Sequence, residues 1–121
     1  MTGREYRKLV DSSGMVPWDI AEKLDISEIT IYRLCNTKGA IPTRQYTALS
    51  CLLRYGELPK LNYQSILILW DGYIKSLAEA IDMDISHVGQ MLRGKWEITT
   101  MHSYAIWYAI KEQNSGRKEA P

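Results

Sequence analysis

Apolar residues in this chain recur three and four apart, and no segment alternates with the period of two that a strand needs. Thr2 and Glu5 have capping-box spacing, and Tyr6, Leu9 and Val10 follow on one helical face. Gly14 ends that helix, and Pro17 suits the first turn of the next, which carries Ile20, Ala21 and Leu24. Ser27 is placed to cap a third helix through Thr30, Ile31 and Leu34. Thr43, after Pro42, is expected to cap a fourth that bears Ala48, Leu49, Leu52 and Leu53. Four more helices are expected near 63–71, 74–81, 85–93 and 100–113, with Asp84 and Thr100 as caps. The pattern predicts an all-α chain with essentially no sheet.

The two sets of four helices are related. Sliding the chain along itself without gaps, until Ile20 falls on Leu77, lays Ile20-Ala21-Glu22-Lys23-Leu24-Asp25-Ile26 on Leu77-Ala78-Glu79-Ala80-Ile81-Asp82-Met83. Ile31 then meets Val88, Leu34 meets Met91, Lys38 meets Lys95 and Thr43 meets Thr100. Only eight positions are identical in this register, but apolar positions agree far better than polar ones. That is expected of two copies of one core whose surfaces have diverged. The division is 1–57 and 58–114, joined at Gly56-Glu57-Leu58-Pro59, with 115–121 expected to be a flexible tail.

Within 20–34 a small residue (Ala21) precedes a turn residue (Asp25) by four and a branched one (Ile31) by ten; Ala78, Asp82 and Val88 repeat the spacing. It suits two helices crossing steeply through a three-residue turn, the helix-turn-helix, whose second helix can enter the major groove of DNA. Ile20-Ala21-Glu22-Lys23-Leu24-Asp25-Ile26-Ser27 resembles the Leu-Ala-x-x-Leu-Gly-Val-Ser of regulators of the phage lambda repressor and Cro type, also called the xenobiotic-response-element type. Met91-Leu92-Arg93-Gly94-Lys95 is similar to the end of that family's recognition helix and the following loop. The resemblance covers nearly all of both repeats and implies two tandem lambda-repressor-like helix-turn-helix repeats of about four short helices each. Two departures stand out. The family's turn Gly is Asp25 and Asp82 here, a residue that tolerates left-handed backbone. The Gln that often opens its second helix and holds a phosphate is Pro17 and Ile74, neither of which can donate a hydrogen bond.

The resemblance implies a sequence-specific regulator of double-stranded DNA, a repressor acting by promoter occupancy, of the kind phages and mobile elements carry. The base-reading residues would be Glu28, Ile29, Tyr32 and Arg33 in the first repeat and Ser86 and Gln90 in the second. Arg suits guanine, Glu a cytosine amino group, Ile a thymine methyl and Gln adenine. Lys38, Arg44, Arg93 and Lys95 would neutralise phosphates. Plainer readings compete: Arg33, Lys38 and Arg93 as solvated charges, Glu28 as an acid favoured by a helix N-terminus, and Tyr32 as a packing residue.

Charge adjusts this picture. The chain has 121 residues, 15 Lys and Arg against 14 Asp and Glu, and 45% hydrophobic residues. That composition excludes a disordered chain and a protein that coats nucleic acid by bulk charge. Any DNA site must come from local clustering, which is denser in the first half: Arg33, Lys38 and Arg44, with Arg4, Arg7 and Lys8 also available. The second half instead has surplus apolar surface in Ile68, Leu69, Tyr73, Trp96, Trp107 and Tyr108. These are candidates for a homodimer interface, or for packing between the repeats. They also sustain an alternative: a protein-interaction module on a helix-turn-helix scaffold, an inhibitor or antirepressor whose partner binds the C-terminal repeat.

Other classes find little support. There is no paired-carboxylate, Ser/His/Asp or phosphate-loop pattern, so no enzyme and no cofactor are expected. Cys35 and Cys51 make neither a disulfide framework nor a zinc cluster. No apolar run approaches the roughly 20 residues of a membrane span, and the polar N-terminus lacks a signal-peptide core, so a cytoplasmic protein is expected.

Overall fold

The computed structural model describes residues 1–119 and is all-helical. Eight helices are assigned among these residues: α1 (Gly3–Ser12), α2 (Pro17–Leu24), α3 (Glu28–Asn36), α4 (Thr43–Tyr55), α5 (Tyr63–Leu69), α6 (Ile74–Ala80), α7 (Ile85–Leu92) and α8 (Thr100–Glu119). No helix among the described residues is long and apolar enough to cross a membrane. The second, third and fourth helices of each half start at positions that coincide in the sequence register: Pro17 and Ile74, Glu28 and Ile85, Thr43 and Thr100.

Local chemistry explains most of the boundaries. The side chains of Thr2, Ser27, Asn62 and Asp84 accept from the first free amides of α1, α3, α5 and α7. Two expected caps are displaced by one residue. Pro42 occupies the N-cap position of α4, and Thr43 is already helical. Thr99, not Thr100, caps α8, its hydroxyl accepting from the His102 amide at 3.2 Å. At α4 the non-helical backbone (φ −58°, ψ 129°) falls on Pro42, which makes no side-chain cap. At the other end, α8 continues to Glu119, past the Asn114 at which the apolar pattern stops. The last two residues of the expected tail, 120–121, lie outside the described residues.

Both short links after α2 and α6 turn on aspartate. Asp25 and Asp82 have φ of 55° and 54° and are the only non-glycine residues described with positive φ. The Ile26 amide reaches back to the Ala21 carbonyl at 3.0 Å, and the Met83 amide to Ala78 at 2.9 Å. Each is the wrapped hydrogen bond of a Schellman stop, which requires a left-handed residue.

One core runs through both halves. Ile20, Leu24, Ile31 and Leu49 are fully buried in the first, and Leu77, Ile81, Val88 and Ile106 in the second. The halves meet chiefly along α4 and α8. The segment between them is pinned to α8 by three hydrogen bonds: Leu58 amide to the Tyr104 hydroxyl (3.2 Å), Leu61 amide to Ser103 Oγ (2.8 Å) and Trp107 Nε1 to the Pro59 carbonyl (2.8 Å). Arg54 and Glu112 add an exposed ion pair across the junction at 3.3 Å.

The start of the chain is tied to the link between α3 and α4. The Ile41 amide donates to the Met1 carbonyl at 2.9 Å, and the Gly3 amide donates to Gly39 at 3.2 Å. Gly3 is buried so tightly that a Cβ would lie 2.1 Å from the Thr37 carbonyl oxygen and 2.5 Å from that of Leu34. Only glycine lets α1 approach the end of α3 this closely.

Candidate nucleic-acid interface

In α3, Ile31 and Leu34 take the core side, which turns Glu28, Ile29, Tyr32, Arg33 and Asn36 outward. Ile29 is 62% exposed and Tyr32 49%. The Tyr32 hydroxyl donates to Glu28 Oε1 at 3.1 Å, one turn back. This bond occupies part of the Glu28 carboxylate and holds the phenol along the helix. Arg33 remains exposed next to them. Val16 and Trp18, at the start of α2, are also exposed; the sequence pattern gives them no role.

The corresponding face of α7 is concave. Ser86, Gln90 and Arg93 line a groove of about 350 Å³ with Ile74, Ile85 and Gly89. Gly89 stands where α3 has Tyr32, and a Cβ there would meet nothing within 4 Å. The amide oxygen of Gln90 is buried without a hydrogen-bond partner, so it is poorly placed to offer a base both amide atoms. Lys95 is exposed just past the helix.

The expected phosphate contacts separate. Lys38 lies in a cleft of about 350 Å³ with Arg4, Arg7, Cys35, Asn36 and Thr37, between α1 and the end of α3. Arg44 is drawn elsewhere: its Nη1 donates to the Asp82 carbonyl at 2.9 Å, joining α4 to the α6–α7 turn. It lines a second cleft there with Asp82, Met83, Asp84, His87 and His102. Burial, then the neighbouring Arg44 and His87, pushes His102 down to about 4. His102 is therefore neutral at pH 7. Among the described residues no group of three His, Cys, Asp or Glu side chains is placed to hold a metal ion.

The surplus aromatic and aliphatic residues divide as well. Trp107 and Tyr108 are half-buried and serve the junction: Trp107 holds Pro59, and Lys111 lies 5.6 Å over its ring. Ile68 and Tyr73 are 83% and 85% exposed, and Leu69 and Trp96 are exposed too. The Trp96 ring meets His87 edge to face at 4.3 Å between centroids. Leu67, Ile74 and Ile85, also exposed, widen the apolar surface beside the α7 groove.

The sequence pattern offers Arg4 and Arg7 only as nearby charge. Their i,i+3 spacing on α1 is visible there; their approach to Lys38 depends on Gly3, whose role only the packing discloses. No protein-family model, no curated protein and no solved structure matches the chain.

Proposed function

We propose that the chain is a sequence-specific double-stranded-DNA-binding regulator, a repressor by promoter occupancy, built as two tandem lambda-repressor-like helix-turn-helix repeats and acting as a homodimer. The observation that carries the reading is the pairing of α2 with α3 through the left-handed Asp25 turn, which leaves Ile29, Tyr32 and Arg33 outward beside a cationic cleft. A helix so presented is suited to a major groove, and Arg33 to a guanine edge. The first half is then the principal reader. The second contributes Ser86, Gln90, Arg93 and Lys95 at most as a supporting contact, and its exposed Ile68, Leu69, Tyr73 and Trp96 as dimer surface.

Selection of bound duplexes from a random DNA pool at near-physiological salt, followed by sequencing, tests the reading. An inverted-repeat motif is the expected result. Two unlike, directly repeated half-sites would show one chain using both motifs without a two-fold dimer. If the folded protein enriches no sequence, the repressor reading fails. The apolar surface running from Leu67 through Ile74 to Ile85 favours the second reading, a protein-interaction module engaged through the C-terminal half.

A further inference from the structure

We infer that the cleft between α1 and the end of α3 is a binding site for the phosphodiester backbone of duplex DNA, with Arg4, Arg7 and Lys38 as its cations. The inference rests on the DNA-binding reading and adds residues of α1 to it.

Three observations carry it. Two arginines, one lysine and Asn36 line about 350 Å³ of open space. Thr37 is not among the donors, because its hydroxyl is already given to the Arg33 carbonyl at 2.7 Å. Two of the three cations also lack an ion pair. Among the described residues neither Arg4 nor Lys38 has an ion pair, and the Nε of Arg7 lies 3.9 Å from an Asp11 carboxylate that is itself largely exposed. Arg4 stands in the first turn of α1, the end of a helix dipole that disfavours a cation. An outside anion would relieve that cost.

The matching place in the second half is built differently. In the register that sets Ile20 on Leu77, Arg4 and Arg7 fall on Leu61 and Gln64. The nearby groove is lined by Lys60, Leu61, Tyr63, Met91 and Trp96, and Lys60 is neutralised by Glu97 at 2.8 Å. Among the described residues the first cleft thus keeps Arg4 and Lys38 without an ion pair, whereas the cation at the matching place is paired.

Its position fits the groove. A helix such as α3, about 10–12 Å across with its side chains, is admitted by a major groove roughly 12 Å wide. With the outward face of α3 in the groove, the cleft at its end would stand beside the groove, where the phosphate strands run.

The test uses the full chain and a duplex recovered by the selection above, with a scrambled duplex beside it. Binding is followed by fluorescence anisotropy from 50 to 200 mM KCl. Each phosphate contact contributes about 0.9 to the slope of log K against log salt. Arg4→Gln with Arg7→Gln should lower the slope by about 2 and weaken both duplexes by similar factors, on the order of 10- to 100-fold. Lys38→Gln, in the exposed link, should lower the slope by about 1. It gives an answer even if the double variant loses its helical circular dichroism. Lys75→Gln, an exposed cation of α6, should change neither quantity. Unchanged slopes in the cleft variants, with wild-type binding intact, would overturn the inference and leave the DNA reading standing. An equal loss in Lys75→Gln would reduce the effect to net charge and overturn it too. Wild-type protein that binds no duplex at any salt ends both.

Discussion

Thr37 and Gly94 each follow a helix that packs beside the first helix of its half, and the surfaces around them differ. Around Thr37 lie Arg4, Arg7 and Lys38; around Gly94 lie Tyr63 and Trp96, with Lys60 tied to Glu97. The outward faces of the preceding helices differ too. Tyr32 fills and braces the face of α3, whereas Gly89 leaves that of α7 hollow. Beneath these surfaces the frames agree: left-handed Asp25 and Asp82, small buried Ala21 and Ala78, and branched Ile31 and Val88 without exposed surface. Such a frame fixes where surface side chains stand while leaving their chemistry free. One half can therefore carry a cationic cleft and the other an apolar one at little cost to either core.

The largest test of that comparison is at Gly3. Gly3→Ala forces a Cβ against the backbone oxygens of Thr37 and Leu34, which have no side-chain torsion with which to give way. A loss of about 2–3 kcal/mol is expected, read as a lowered denaturation midpoint with unchanged slope. Lys60, the matching position of the second half, lies outside α5 and carries an exposed ion pair. Lys60→Ala should cost under about 1 kcal/mol. Equal losses would show that the two clefts depend on the same close approach after all.

The next effect separates the two outward faces. A bidentate arginine contact is worth about 1–3 kcal/mol of base discrimination. Arg33→Ala should therefore lower affinity for the selected duplex about 10- to 100-fold and relax one base position when the selection is repeated. Gln90→Ala should do less, because its amide oxygen is already buried. The reverse order would make α7 the reader.

A smaller effect lies at the junction between the halves. His102 is held neutral down to about 4, against an ordinary value near 6.5. Arg44, His87, Asp82 and Asp84 line the same cleft. Between those pH values the unfolded chain binds a proton that the folded chain refuses. Stability is therefore full above pH 6.5 and falls as the pH drops toward 4. Allowing for partial exposure, the loss should be on the order of 1–2 kcal/mol. His102→Gln, which copies the matching Gln45, should flatten that part of the pH–stability curve. A curve unchanged by the substitution would place the acid sensitivity elsewhere.

Residues whose role is local were legible in the sequence. Thr2, Ser27 and Asp84 cap as their spacing predicts, and both aspartates adopt the left-handed turn expected of them. The all-helical character follows from the same short-range periodicity. Residues whose role depends on a distant partner were not. Arg44 looks like a free cation until Asp82 presents a carbonyl from the far side of the junction. Trp107 looks like surplus surface until Pro59 folds beneath it. Gly3 reads as an ordinary helix start, since nothing nearby in the chain announces the Thr37 carbonyl.

Gly89 offers the mildest test. Glycine inside α7 costs up to about 1 kcal/mol relative to alanine, and an alanine Cβ would meet nothing within 4 Å. Gly89→Ala should therefore raise stability by about 0.5–1 kcal/mol, seen as a rise in Tm. The methyl group also partly fills the hollow between Ile74, Ile85 and Gln90. If that hollow receives nothing, affinity for the selected duplex stays the same while Tm rises. If a base edge or a second copy of the chain enters it, the gain in stability comes with weaker binding or weaker self-association, measured by anisotropy and by sedimentation. Because the substitution leaves the frame intact, any loss of function would mark the α7 groove as a working surface rather than a by-product of a missing side chain.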